Sequence, residues 1–140
     1  MTEATVIEKV LSANDTGETG GHQAGILVPK EPRILGFFPS LNVHTKNPRA
    51  VLDMLDDTGH EWTFHFIYYN NRFFGGTRNE YRITGMTAFF REFNLRTGDA
   101  VIFRRISAKH LNISYRRAAA MQNRKIIHLS STWKVIKANV

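Results

Sequence analysis

The nine residues Glu61–Tyr69, EWTFHFIYY, place Trp62, Phe64, Phe66 and Tyr68 on one face of an extended chain and Thr63, His65, Ile67 and Tyr69 on the other. Four bulky aromatic side chains at period two predict a half-buried strand. An amphipathic helix would repeat its apolar positions every three to four residues instead. The same alternation dominates the second half of the chain, with Gly, Asn, Asp and Pro falling between the runs at strand-like spacing. A chain patterned this way must pair strands around a core. Its 140 residues, 42% of them hydrophobic, suffice for one domain with a real interior.

Seven strands are predicted, over residues 5–11, 25–28, 48–55, 61–69, 100–106, 111–115 and 125–136. In the last, Ile127, Leu129, Trp133 and Val135 share one side. Pro29 and Pro32 open a short helix over 33–38, because proline suits the first helical turn. A second helix covers 87–93, with Thr87 as N-cap and Phe89, Phe90 and Phe93 buried. Polar loops fill 13–21 and 70–82. The expected fold class is mainly β, about seven strands and two short helices, in a closed or half-closed barrel.

Cysteine is absent, which excludes disulfides, thiolate nucleophiles and cysteine metal sites and suits a reducing cytoplasm. The first residues, MTEATVIEK, lack the pattern of a signal peptide, and no stretch reaches the roughly 18 uninterrupted apolar residues of a membrane span. Catalytic signatures fail one by one. The acids are scattered, with no carboxylate cluster and following lysine to hold Mg²⁺. Asp56 and Asp57 precede Gly59 and read as a turn. The triplet His44-Thr45-Lys46 fits a metal-free phosphodiesterase only with an Asp five positions after the lysine, and Val51 stands there. The six histidines form no helical zinc pair, and no nucleophile elbow is present. The chain is expected to have no catalytic residues, no metal and no cofactor of its own.

Charge points to a polyanion. The net charge is +7, and it is uneven: residues 1–60 hold five Lys/Arg against eight Asp/Glu, residues 61–140 fourteen against four. A solubilising surface, or a ribosomal or assembly protein, would show the same balance.

Two loops carry groups suited to base edges. The first holds Asn14, Asp15, Thr19, His22 and Gln23, with glycines at 17, 20 and 21 that let the backbone lie close to a partner. Its acids would repel phosphate, so Asp15 and Glu18 either cap the loop or accept from an amino group. The second holds Arg72, Gly76, Thr77, Arg78, Asn79, Glu80, Tyr81 and Arg82. Arginine pairs bidentately with guanine O6 and N7, glutamate accepts from cytosine N4, and asparagine pairs with adenine or contacts phosphate. The alternative is a surface strand with an Arg–Glu ion pair, worth little in itself. The residues alone do not choose between the two.

The string SANDTGETGGHQAG (12–25), with IYYN (67–70) and GGTRNEYRIT (75–84), resembles the N-terminal effector domain of EcoRII-type restriction endonucleases. The resemblance covers residues 5–84, and beyond them rests on the strand pattern alone. It implies a DNA-binding pseudobarrel, shared with plant auxin-response and abscisic-acid transcription factors, whose two arms grip the major groove. Loop 13–24 would be the first arm and loop 74–84 the second. His22, Arg78, Glu80 and Arg82 match base-reading or DNA-contacting positions. Three residues depart: Leu27 stands for a tyrosine, and Gly76 and Tyr81 each for a lysine. Loss of two lysines removes phosphate contacts and weakens binding at a given salt.

The resemblance further implies a CC(A/T)GG-like target, a prokaryotic cytoplasmic setting, a monomeric isolated domain, and a covalently linked nuclease domain that alone needs Mg²⁺. Arg72, Arg104, Arg105, Arg116, Arg117 and Arg124 are candidates for phosphate. Strand neighbours such as Arg104 and Arg105 point to opposite faces, so at most one of each pair serves. A regulatory DNA- or RNA-binding protein and a small standalone nuclease are the competing readings.

Overall fold

A computed structural model describes residues 3–18, 25–118 and 133–139. The strands are β1 (Glu3–Val10), β2 (Ile26–Val28), β3 (Arg49–Leu55), β4 (Glu61–Tyr69), β5 (Glu80–Thr84), β6 (Ala100–Ser107), β7 (His110–Arg116) and β8 (Trp133–Asn139). The helices are α1 (Ala13–Thr16), α2 (Pro32–Leu35) and α3 (Thr87–Glu92), with a 3-10 turn at Asn71–Phe74.

All eight strands join one sheet in the order β2-β5-β4-β3-β7-β6-β1-β8. Pairing is antiparallel except between β3 and β7, which meet in parallel at Met54 and Leu55. The sheet curls until its edges approach each other: Trp133 on β8 donates its indole N–H to the Leu27 carbonyl of β2 at 2.9 Å. Helix α2 packs on β1 and β8. The result is a mainly β pseudobarrel. Among the described residues it has eight strands where about seven were expected, and three short α-helices where two were expected.

The predicted aromatic face of β4 turns inward. Phe64, Phe66 and Tyr68 are buried, and Phe37, Phe89 and Phe103 complete a largely aromatic core. Phe38 stacks on Phe66 at 4.8 Å, and Phe103 lies nearly parallel to Trp133 at 6.0 Å. Each fully buried phenylalanine contributes roughly 1.5–3 kcal/mol relative to an exposed one.

Three expectations shift. Loop 13–21 begins with α1, a single turn held by a reciprocal capping box: Asp15 N–H donates to Ser12 Oγ at 3.2 Å, and Ser12 N–H to Asp15 Oδ2 at 2.9 Å. Loop 70–82 ends in β5, whose short alternation, Tyr81 and Ile83 against Glu80 and Arg82, is stabilised by ladders on both sides. Met86, with no side-chain bond, occupies the N-cap of α3, and Thr87 is its first helical residue. Strand β8 is described over Trp133–Asn139; Ile127, Leu129 and the rest of its predicted first half lie outside the described residues.

Candidate nucleic-acid interface

Strand alternation sorts the second arm. Tyr81 and Ile83 face the core, while Glu80, Arg82 and Thr84 lie on the opposite face. The β4–β5 register sets Glu80 across from Tyr69, and Arg82 across from Ile67. Glu80 Oε2 accepts from Arg78 Nη2 at 2.7 Å and from Arg82 Nε at 2.6 Å. These bonds, Arg78 foremost and then Arg82, hold the Glu80 carboxyl below its ordinary value despite partial burial. Arg78 also lies over Tyr69, its guanidinium carbon 3.9 Å from the ring centroid. Arg82 Nη1 donates to the Gly25 carbonyl at 2.7 Å. The Arg–Glu ion pair entertained from the sequence is therefore real, and it has two arginines.

The turn before β5 is held by Asn71. Its side-chain oxygen accepts from the Arg78 N–H at 2.6 Å, and its carbonyl accepts from Gly76 N–H at 2.7 Å. The Arg72 N–H donates to the Arg78 carbonyl at 2.9 Å. A Cβ at Gly76 would fall 2.7 Å from Asn71 Cγ, so a side chain there must displace the residue that orders the arm. Thr77 and the Arg72 side chain are exposed. Asn79 Oδ1 accepts from the Tyr68 hydroxyl at 2.6 Å. Tyr81 stacks on Tyr68 with centroids 4.1 Å apart and rings 5° from parallel. Burial, and then Tyr68, push the Tyr81 phenol up. Tyr81 is thus half-buried in a stack with Tyr68.

In the first arm, Asn14 is exposed on α1, whereas Asp15 is buried and pairs with Lys9 at 2.9 Å. Glu18 accepts from Thr16 Oγ1 at 2.6 Å and from Thr97 N–H at 2.6 Å, and these bonds lower its carboxyl. Both acids cap and tether, which is one of the two roles expected of them. Thr19, His22 and Gln23 lie outside the described residues. Tyr69, Asn71 and Gly25 were not singled out from the sequence. Tyr69 was legible, since alternation puts it on the face opposite the core aromatics; the other two depend on long-range partners.

The phosphate candidates separate. Arg72, Arg104 and Arg117 are exposed. Arg105 donates to the Phe37 carbonyl and covers its ring, Arg116 pairs with Glu8, and Arg117 donates to the Asn94 carbonyl at 3.2 Å. Arg124 lies outside the described residues. Among the described residues no helix is long and apolar enough to cross a membrane.

A curled sheet with a half-exposed charged row on β5 and the turn before it defines a class of binding domain, and its fold has solved counterparts. The Arabidopsis FUS3-DNA complex matches with a TM-score of 0.62 at 22% identity, over 79% of this chain and 95% of that one. Residues 1–112 match the family described as "Restriction endonuclease EcoRII, N-terminal", and the chain belongs to that family. The type II restriction enzyme EcoRII of Escherichia coli is 47% identical over 85 residues, which cover 54% of this chain and 19% of that protein. Auxin response factor 2 of Oryza sativa subsp. japonica is 34% identical over 115 residues, 82% of this chain and 15% of that protein. A B3 domain-containing transcription factor of Arabidopsis thaliana is 33% identical over 120 residues, 84% and 15% respectively. The chain spans at most about a fifth of the length of these relatives.

Proposed function

We propose that this domain binds double-stranded DNA sequence-specifically, through two arms in the major groove, as the target-recognition module of a type II restriction endonuclease with a CC(A/T)GG-like site. The observation that carries the reading is the Arg78–Glu80–Arg82 row. Half-exposed charged groups on β5 and the turn before it are held by one another, by Tyr69 and by Asn71 before any ligand arrives. Such preorganisation lowers the ordering cost of recognition. Arg78 offers a fork to guanine. Among the described residues both arginine bonds fall on Glu80 Oε2, and Oε1 would accept from cytosine N4. The basic excess of +7 supplies non-specific attraction to phosphate. Thr19, His22 and Gln23 would read from the first arm. Catalysis, with its Mg²⁺, belongs to a nuclease domain of the full-length protein, which acts in the prokaryotic cytoplasm.

A metal-free gel-shift titration against a CC(A/T)GG duplex and a scrambled duplex, at physiological salt, tests this. Tight binding to the first alone supports module and target together. Equal weak binding to both rejects the target and calls for selection from random duplexes.

One observation favours a second reading, a regulatory DNA-binding protein. The plant transcription-factor relatives align over 82–84% of the chain, EcoRII over 54%. Failure of the full-length protein to cut a CC(A/T)GG plasmid with Mg²⁺, while still binding it, would select that reading.

A further inference from the structure

Arg82 is the least exposed cation of the charged row, its side chain 18% exposed against 39% for Arg78. Its planar guanidinium already makes two bonds inside the protein. Nε donates to Glu80 on the second arm, and Nη1 donates to the carbonyl of Gly25, which follows the first-arm loop in sequence. Gly25 is pressed onto the same strand. At φ +95° it lies so close that a Cβ would fall 2.5 Å from the Ile83 carbonyl oxygen and 2.9 Å from Thr84 Cγ2. The other end of the first arm is fastened independently, by Asp15 to Lys9 and by Glu18 to Thr97.

From this geometry we propose that Arg82 is a positioning residue that straps the two arms together, with base reading left to its neighbours; the proposal rests on the DNA-binding reading above. A guanidinium can hold two acceptors at a set angle, whereas an ammonium is a single point of charge. With the strap in place, the exit of the first arm and the row on the second arm move as one body. Their base contacts then fall in a single register on the duplex. Without it, the β2–β5 ladder alone joins the two arms, their relative placement loosens, and discrimination erodes wherever either arm reads.

The test uses the duplex that the wild-type chain enriches most strongly from a random pool. Every base pair of that duplex is then substituted in turn, and the affinity ratio is mapped by position. Arg78→Ala identifies base pairs read by the second arm, with a loss on the order of tenfold to a hundredfold. Replacement of residues 19–23 by Gly and Ser identifies those read by the first. Arg82→Ala is expected to lower discrimination in both sets. A loss confined to one base pair would mean that Arg82 reads a base, and equal loss on selected and random duplexes would mean that it contacts phosphate; either result overturns the proposal. If Arg82→Ala does not fold, as judged by thermal melting, Arg82→Lys is scored by the same map, since it keeps the charge and loses the fork. A wild-type chain that enriches no sequence overturns the DNA reading itself, and the strap with it.

Discussion

The guanidinium of Arg78 lies 3.9 Å from the centroid of the Tyr69 ring while its Nη2 donates to Glu80 at 2.7 Å. The ring limits the side chain from below and the carboxylate from the side, so the arginine is aimed in the free protein. A cation over an aromatic face gains about 0.5–1 kcal/mol at an exposed site and about 2 when desolvated. Tyr69→Leu is therefore expected to weaken binding to the preferred duplex about threefold to thirtyfold, with Tyr69→Phe close to wild type. Gel-shift titrations of both variants check this; equal losses would assign the effect to the hydroxyl.

Asn71 makes the turn that presents Arg78, through a 2.6 Å bond to its backbone N–H. Asn71→Ala leaves that half-buried donor without its partner, at a cost of about 1–3 kcal/mol. Urea unfolding should show this loss. Affinity should also fall when measured well below the melting transition, because the arm is less ordered. A variant with wild-type stability would remove Asn71 from the role.

Arg72 is exposed on the 3-10 turn beside the arm. As a phosphate contact, it carries no sequence information. Arg72→Ala should weaken binding to preferred and scrambled duplexes by the same factor. It should also reduce the slope of log affinity against log salt by about 0.9. A change of preference with an unchanged slope would place Arg72 among the base readers.

Acid stability has an identifiable source in Asp56, at the β3–β4 turn. Burial alone would raise its carboxyl, but bonds from Trp62 Nε1 at 2.8 Å, Thr58 Oγ1 at 2.7 Å, Thr58 N–H and His60 N–H hold it down, to about 2. A depressed folded value means that the contribution is complete above the unfolded carboxylate range, and is lost as pH falls through about 2. Asp56→Asn should cost about 2 kcal/mol at neutral pH and flatten the decline in stability between about pH 4 and 2. Denaturant melts across that range measure both effects. An unchanged acid limb would contradict the assignment.

What could be read without the fold follows from local rules. The period-two run of β4 declared Phe64, Phe66 and Tyr68 as buried, although Trp62 is only half-buried and Ile67 on the other face is buried too, and Pro32 marked the first turn of α2. Ser12 and Asp15 stood at capping-box spacing, yet α1 was not predicted, because one helical turn is stable only with partners such as Lys9 that tertiary structure supplies. Strand β5 was hidden for a similar reason: five residues of alternation inside a polar stretch carry little signal, and two flanking ladders decide them.

The candidate site divides along the same line. Residue chemistry alone singled out Arg78, Asn79, Glu80 and Arg82, because few side chains present paired donors or acceptors to base edges. Their different places came from tertiary structure: Arg78 on Tyr69, Asn79 under Tyr68, and Arg82 across to Gly25. Arg82 and Gly25 are 57 residues apart, and only the β2–β5 pairing brings them into contact. Sequence determined which groups were present and on which face of a strand they would fall. Which of them touch was decided by long-range pairing, since a hydrogen bond depends on a few tenths of an ångström that no local pattern encodes.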